Sequence, residues 1–288
     1  MGGMHTLEWR LCTASGYVQN IIPIATSAYH SAWGISWSET QRQAIFTDAA
    51  FKCGWYKAVP KGQPRSGLGT ARMIGMLTYR SFGSFETRFG RKHAVPVKRI
   101  VTSDALPTPP SSETGSISSD TGESEEAVSS LKYSVQSYLH YQAEKFLNRF
   151  DANCYVHLTR KMDTHDVTRS RSSSRDSGRT PTAESLTTSL KIVPKGALVI
   201  GVQTDMLFLL QQQIEIAHCL PEADFVALQS GDGHDGFLLE FESLDKIIRE
   251  HLMKRCAWVY EGLARIPEDT QDAVVGSSVF SETESIEF

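Results

Sequence analysis

Asp205, three residues after an apolar run, and His234, in the turn Gly233-His234-Asp235-Gly236, are of the types that together turn an alcohol into a nucleophile. In that chemistry His234 takes the proton of a serine hydroxyl, while Asp205 fixes the imidazole tautomer and stabilises the imidazolium that forms. The chain opens Met1-Gly2-Gly3-Met4-His5, which reads as the residues that follow the serine in a Gly-x-Ser-x-Gly nucleophile elbow. Small residues belong there because a helix must start tightly against a strand. The serine itself would precede Met1. The acid and the base of a triad are thus expected here, in the order serine, aspartate, histidine, with the nucleophile absent.

Both residues need parallel strands behind them, because catalytic groups of open parallel sheets sit on loops after the strands' carboxyl ends. Residues 197–202 (Ala-Leu-Val-Ile-Gly-Val) form the continuous apolar run of a strand covered on both faces. A helix is expected over 211–218 and a second strand over 224–228, so that Asp205 and His234 each follow a strand. A closing helix over 235–253 would turn Phe237, Leu238, Phe241, Leu244, Ile247, Ile248 and Leu252 inward. This βαβα order predicts an α/β fold with a doubly wound sheet. At the start, residues 3–9 are helical in character and lead to a short apolar strand over 18–25. In a polypeptide beginning at Met1 that strand would lack a neighbour and expose an apolar edge, which favours aggregation.

The middle of the chain is different. From Ser31 to about Tyr79 the spacing predicts amphipathic helix with Trp33, Ile35, Trp37 and Ile45 on its apolar positions, and a second helix over 69–78. This aromatic density suggests a cap or a pocket wall, and equally a packed core. Residues 103–130 contain 12 Ser or Thr and six acidic side chains and no basic one, with Pro107, Pro109 and Pro110 among them. Such a segment cannot bury enough apolar surface to offset its ordering and reads as a disordered insertion. Residues 168–189, with Arg169, Arg171, Arg175 and Arg179 among serines, read as a second insertion, a solvated loop. Between them a helix is expected over 133–150. The organisation is therefore a core start over 1–30, a helical cap over 31–190 carrying the insertions 103–130 and 168–189, a C-terminal α/β core over 191–255 and a tail over 256–288.

With 288 residues and 40% apolar content the chain can bury a core. Its net charge of -4 gives no basic field for nucleic acid and no polybasic membrane anchor. Five scattered cysteines, an odd number without a Cys-x-x-Cys pair, point to a reducing compartment. No apolar run approaches the roughly 20 residues that span a bilayer, so the expected location is the cytoplasm.

Several longer stretches carry a resemblance. The Met1-Gly2-Gly3-Met4 start, Leu7-Glu8-Trp9, Ile22-Pro23-Ile24-Ala25-Thr26-Ser27, Trp37-x-Glu39-x-Gln41-Arg42, Leu77-Thr78-Tyr79-Arg80-Ser81, Arg88-Phe89-Gly90-Arg91, Phe150-Asp151-Ala152-Asn153 and Gly233-His234-Asp235-Gly236-Phe237-Leu238 follow in order. Together they resemble the homoserine O-acetyltransferase family of α/β-hydrolase acyltransferases, related to deacetylcephalosporin C acetyltransferase. The resemblance implies the C-terminal part of an α/β-hydrolase fold with a helical cap. It implies acetyl transfer from acetyl-CoA, a co-substrate and not a bound cofactor, to L-homoserine in methionine biosynthesis through an acetyl-serine intermediate. Arg72 then matches the arginine that holds the acceptor carboxylate, Tyr79 a pocket tyrosine, and Asp235 the carboxylate that receives the acceptor ammonium. A small-molecule acceptor and acetyl-CoA are the implied partners, with no nucleic acid or membrane, and family members often pair as homodimers. Other readings are an O-acetyltransferase for serine or a secondary-metabolite alcohol, and a non-catalytic remnant that binds a partner. Without the serine this chain would be inactive alone. His157, Asp163, His165 and Asp166 are metal-ligand types, but they lie in a stretch that resembles family cap sequence, and no metal is expected.

Overall fold

The computed structural model describes residues 1–57, 59, 61–94, 133–171 and 179–260. Residues 1–241 form one compact unit, and a second begins at Glu242. The expected insertion at 103–130 lies outside the described residues, as do 172–178 of the second one.

The first unit is built on two parallel strands, β1 (Leu198–Val202) and β2 (Asp224–Leu228), in the register Leu198 to Asp224 through Val202 to Leu228. All five residues of β1 are buried, as an apolar run without alternation requires of a strand covered on both faces. The expected strand over 18–25 is reduced to a single bridge, Ile24 to Ile200, flanked by bonds from Leu198 N–H to Ile21 O (3.2 Å), Ile200 N–H to Pro23 O (3.0 Å) and Ala25 N–H to Ile200 O (2.9 Å). Pro23 has no N–H to give a ladder, which limits its pairing. No second strand pairs with this segment among the described residues.

Helix α1 (Gly2–Cys12) leads into that segment. A Cβ at Gly3 would lie 2.6 Å from Thr26 Cβ and 2.9 Å from Ile24 O, so only glycine lets the first turn sit this close. The helical layer contains α2 (Ala32–Phe46), α3 (Arg65–Tyr79), α4 (Phe82–Arg88), α5 (Ser134–Leu147) and α6 (Ala152–Asp163). Ser31, Ser81 and Asp151 cap α2, α4 and α6 through their side chains, each satisfying a backbone N–H the helix leaves open. Ile45, Leu68, Ala71, Phe146 and Val156 join α2, α3, α5 and α6 in one apolar cluster. Of the expected apolar face of α2, Ile45 is buried, but Trp33 is 47% and Ile35 37% exposed. Trp33 instead packs edge-on against Trp37 at 5.4 Å and donates Nε1–H to Met206 O (2.8 Å).

Part of the segment expected as a solvated loop is core. Helix α7 (Ala183–Leu190) starts within 168–189 and ends one residue beyond it, and it buries Leu186 and Leu190 fully against Leu7, Val193 and Val199. Its two leucines stand four residues apart on one face, and the serine-rich composition around them masked that spacing. Helix α8 (Leu210–Cys219) connects β1 to β2.

The single closing helix expected over 235–253 is three pieces: a 3₁₀ turn (Gly233–Asp235), α9 (Gly236–Leu239) and α10 (Phe241–Arg255). Glu240, at φ -86° and ψ 42°, interrupts the helical path. Leu238 is 52% and Phe241 66% exposed, against the inward expectation, while Leu244, Ile247, Ile248 and Leu252 are half-buried. In the second unit the described residues continue α10 and add a short helix, α11 (Ala257–Tyr260). No helix among the described residues is long and apolar enough to cross a membrane.

Candidate active site

The ladder between β1 and β2 ends with Gln203 N–H bonded to Leu228 O (3.1 Å), and the two chains then separate into the loops that carry Asp205 and His234. Asp205 is 4% exposed. Its Oδ1 accepts from the backbone N–H groups of Leu207 (2.8 Å) and Phe208 (2.9 Å), and its Oδ2 accepts from His234 Nδ1 at 2.8 Å. Two backbone donors thus aim the carboxylate, and the charge-assisted bond it makes to the imidazole has short, strong geometry. Gln213, fully buried, secures the same turn by donating to Phe208 O (2.6 Å) and accepting from Val202 N–H (3.2 Å).

With Nδ1 held by Asp205, Nε2 is the nitrogen available for proton transfer. The ring is boxed by Phe237 at 5.3 Å, Phe208 at 5.4 Å and Tyr79 at 6.3 Å between centroids. Met4, in the first turn of α1, forms one apolar cluster with Leu207 and Phe208, against which Tyr79 also packs. The start of α1 therefore belongs to the cluster that contains Phe208, one of the rings around His234.

Arg72 and Tyr79 stand seven residues apart on α3, two helical turns, and so share one stripe. The Arg72 guanidinium lies 5.5 Å from the Tyr79 ring centroid and 5.0 Å from that of Phe146, a cation–π arrangement around a buried charge. Gly75, between them, leaves room for the hydroxyls of Tyr79 and Tyr155, each 3.4 Å from where a Cβ would be. Burial pushes the Tyr155 phenol well above its ordinary value; Tyr79 adds to this and the Arg72 charge partly offsets it. Tyr155 therefore stays protonated, and it donates to Gln41 Oε1.

Asp235 is buried and does not stand alone. Its Oδ2 lies 3.2 Å from Arg80 Nε, while Arg80 NH1 reaches Asp232 Oδ1 at 3.0 Å. Ser84 donates to the same Asp232 oxygen and Ser81 to Gly231 O. Gly233 has φ +74°, and a Cβ there would be 2.5 Å from Ser81 N and 2.7 Å from Arg80 C. The histidine turn is thus pressed directly onto the α3–α4 junction.

The structure brings together Asp205, His234, Arg72, Tyr79 and Asp235 as one neighbourhood through these contacts. Sequence reasoning missed Arg80, Phe208, Tyr155 and Phe146. Arg80 lies inside the Leu77-Thr78-Tyr79-Arg80-Ser81 stretch, but its side chain carries no separate signal. The metal-ligand types are employed differently: Asp163 pairs with Arg42 at 2.6 Å, His165 Nε2 bonds Ser27 O at 3.1 Å, and Asp166 Oδ1 accepts from Thr168 N–H and Oγ1–H. His157 is exposed on α6.

No family model matches the chain. Among curated proteins it is 39% identical to the homoserine O-acetyltransferase of Emericella nidulans, over 87% of this chain and 58% of that protein. It is 36% identical to the one of Cryptococcus neoformans var. grubii, over 99% of this chain and 70% of that protein. The chain thus spans little more than half the length of the first of these relatives. Among solved structures it is similar to a homoserine O-acetyltransferase from Bacillus anthracis (TM-score 0.63, 19% identity, 87% of this chain and 57% of that one). An acetyl esterase gives a TM-score of 0.63 at 20% identity, over 87% of this chain and 59% of that one. At such identities the likeness speaks for the fold, a partial α/β-hydrolase fold. With a curated relative 36% identical along 70% of its length, the chain belongs to the homoserine O-acetyltransferase family.

Proposed function

We propose that this chain carries the acid, the base and the acceptor-binding residues of an enzyme that moves an acetyl group from acetyl-CoA to L-homoserine. The observation that carries the reading is the 2.8 Å bond between Asp205 and His234 at the ends of adjacent parallel strands, with Arg72 and Tyr79 beside it. The nucleophile in this reading is a serine immediately before Met1, on the turn that enters α1. Two features support that position: the close fit of Gly3 to Thr26, and Met4 clustered with Phe208, whose ring borders His234.

In the first half-reaction His234 Nε2 takes the serine proton as Oγ attacks the thioester carbonyl, and returns it to the departing CoA sulfur. In the second, His234 takes the proton of the homoserine hydroxyl, whose oxygen attacks the acetyl-serine ester, and gives that proton back to serine Oγ. Asp205 keeps the imidazole in the Nδ1–H tautomer and stabilises its charged form in both. Arg72 holds the acceptor carboxylate with its planar fork, Asp235 receives the ammonium, and Tyr79 closes the wall beside His234. Formation of the acetyl-enzyme requires that serine. The same reading carries a cytoplasmic location and a homodimer for the full-length form.

The test compares this chain with a version extended upstream by the in-frame codons of its own gene. The expected result is that only the extended protein releases CoA from acetyl-CoA in the presence of L-homoserine. A stop codon directly upstream, or equal turnover by both proteins, rejects the assignment of the nucleophile. Turnover by the extended protein with L-serine and none with L-homoserine rejects the acceptor.

A further inference from the structure

Past the last rung of the β1–β2 ladder, one side chain spans the gap between the loops of Asp205 and His234. The hydroxyl of Thr204 donates to Ser230 O at 2.8 Å and accepts from Gly233 N–H at 2.9 Å. Thr204 directly precedes Asp205, and Gly233 directly precedes His234. A single oxygen thus fixes the residues next to the two ends of the Asp205–His234 bond.

The other restraints on the histidine turn act from elsewhere. Arg80, Ser81 and Ser84 tie residues 231–235 to the α3–α4 junction, and Ser230 Oγ accepts from Asp232 N–H within the turn itself. None of these sets the distance from His234 to β1. Gly233 adds to the need for such a tie, since its left-handed conformation, at φ +74°, is held by few local forces. The chemistry demanded at position 204 is narrow: one short group must donate and accept at once, which a hydroxyl does and a methyl does not.

We propose that Thr204 is the positioning residue of the acid–base pair, stapling the two loops so that His234 presents Nδ1–H to Asp205. Its importance for turnover rests on the reading of His234 as the base; the staple itself does not. Loss of the hydroxyl leaves Ser230 C=O and Gly233 N–H without this partner and lets the imidazole turn away from the carboxylate. A displacement of about 1 Å at such a pair costs on the order of 100-fold in rate.

The experiment is ring-nitrogen NMR of His234 in the chain itself, in the Thr204→Val and Thr204→Ser variants, with urea unfolding of each as the control for folding. We expect wild type and Thr204→Ser to keep the neutral ring as the Nδ1–H tautomer, and Thr204→Val to shift it towards Nε2–H. A folded Thr204→Val protein with the wild-type tautomer overturns the proposal, as does a wild-type ring without Nδ1–H. Should the valine variant not fold, Thr204→Ser decides: retention of the wild-type tautomer supports the hydroxyl's role, and its loss refutes it. In the upstream-extended protein, Thr204→Val is expected to lower kcat about 100-fold while KM for the acceptor stays within about twofold. An unaltered kcat there overturns the positioning role. If no version of the protein turns over while the tautomers behave as expected, the acetyl-transfer reading falls and the staple stands.

Discussion

Replacing Gly233 by alanine tests how His234 is held, and its cost can be worked from the geometry. At φ +74° an alanine adopts the left-handed region, which costs roughly 1–2 kcal/mol. Its Cβ would also sit 2.5 Å from Ser81 N and 2.7 Å from Arg80 C. Those are backbone atoms of the α3–α4 junction and cannot rotate away, so either the junction or the histidine turn must move. Overpacking of this kind costs about 1–3 kcal/mol, giving a total of roughly 2–5 kcal/mol. Gly231, two residues earlier, is the matched control: nothing lies within 4 Å of where its Cβ would be, and it does not have a positive φ. Urea unfolding of the two variants reads the difference, with Gly231→Ala expected within about 0.5 kcal/mol of wild type. A Gly233→Ala protein as stable as Gly231→Ala, with unchanged His234 signals, would refute the claim that this turn is wedged onto the junction.

Other outcomes follow from the same geometry. Asp205→Asn keeps the acceptor for Leu207 and Phe208 N–H but presents an amide to His234 Nδ1; the tautomer inverts, and kcat of the upstream-extended protein falls by about 10⁴-fold. Arg72→Lys removes the planar fork that lies over the Tyr79 and Phe146 rings, so KM for L-homoserine should rise by about 10–100-fold with a smaller effect on kcat; an unchanged KM contradicts its proposed acceptor role. Burial lowers the pKa of His30 and of His165 from the ordinary 6.5. The unfolded chain then takes up protons first as pH falls below about 6.5, so stability is greatest above that value and declines below it, by at most about 1.4 kcal/mol per pH unit for each histidine. Denaturant titrations between pH 7.5 and 5.5 should show the decline, made shallower by His30→Gln.

The parts of the fold visible in the sequence were those with one dominant pattern. β1 is an uninterrupted apolar run, so its place and burial could be read directly, and β2 was found at its observed bounds. Asp205 and His234 were legible because their positions after those strands agreed with the chemistry of their side chains. The stripe of Arg72 and Tyr79 came from resemblance, and helix periodicity accounts for it afterwards. What composition concealed was tertiary. Leu186 and Leu190 lie among serines and threonines, and only their burial against Leu7 and Val199 makes α7 part of the core. The break at Glu240 left no mark, because the apolar spacing continues through it while Leu238 and Phe241 face outward. Arg80 was hidden for another reason: its role depends on two carboxylates some 150 residues away, Asp232 and Asp235.

The most direct test of the account is acetyl transfer by the upstream-extended protein and by its His234→Ala variant. Each is incubated with acetyl-CoA and L-homoserine, and O-acetylhomoserine is measured by mass spectrometry. The account predicts product from the extended protein and a loss of at least about 10³-fold in the variant. Equal product from both, or none from the extended protein although L-homoserine binds, would contradict it.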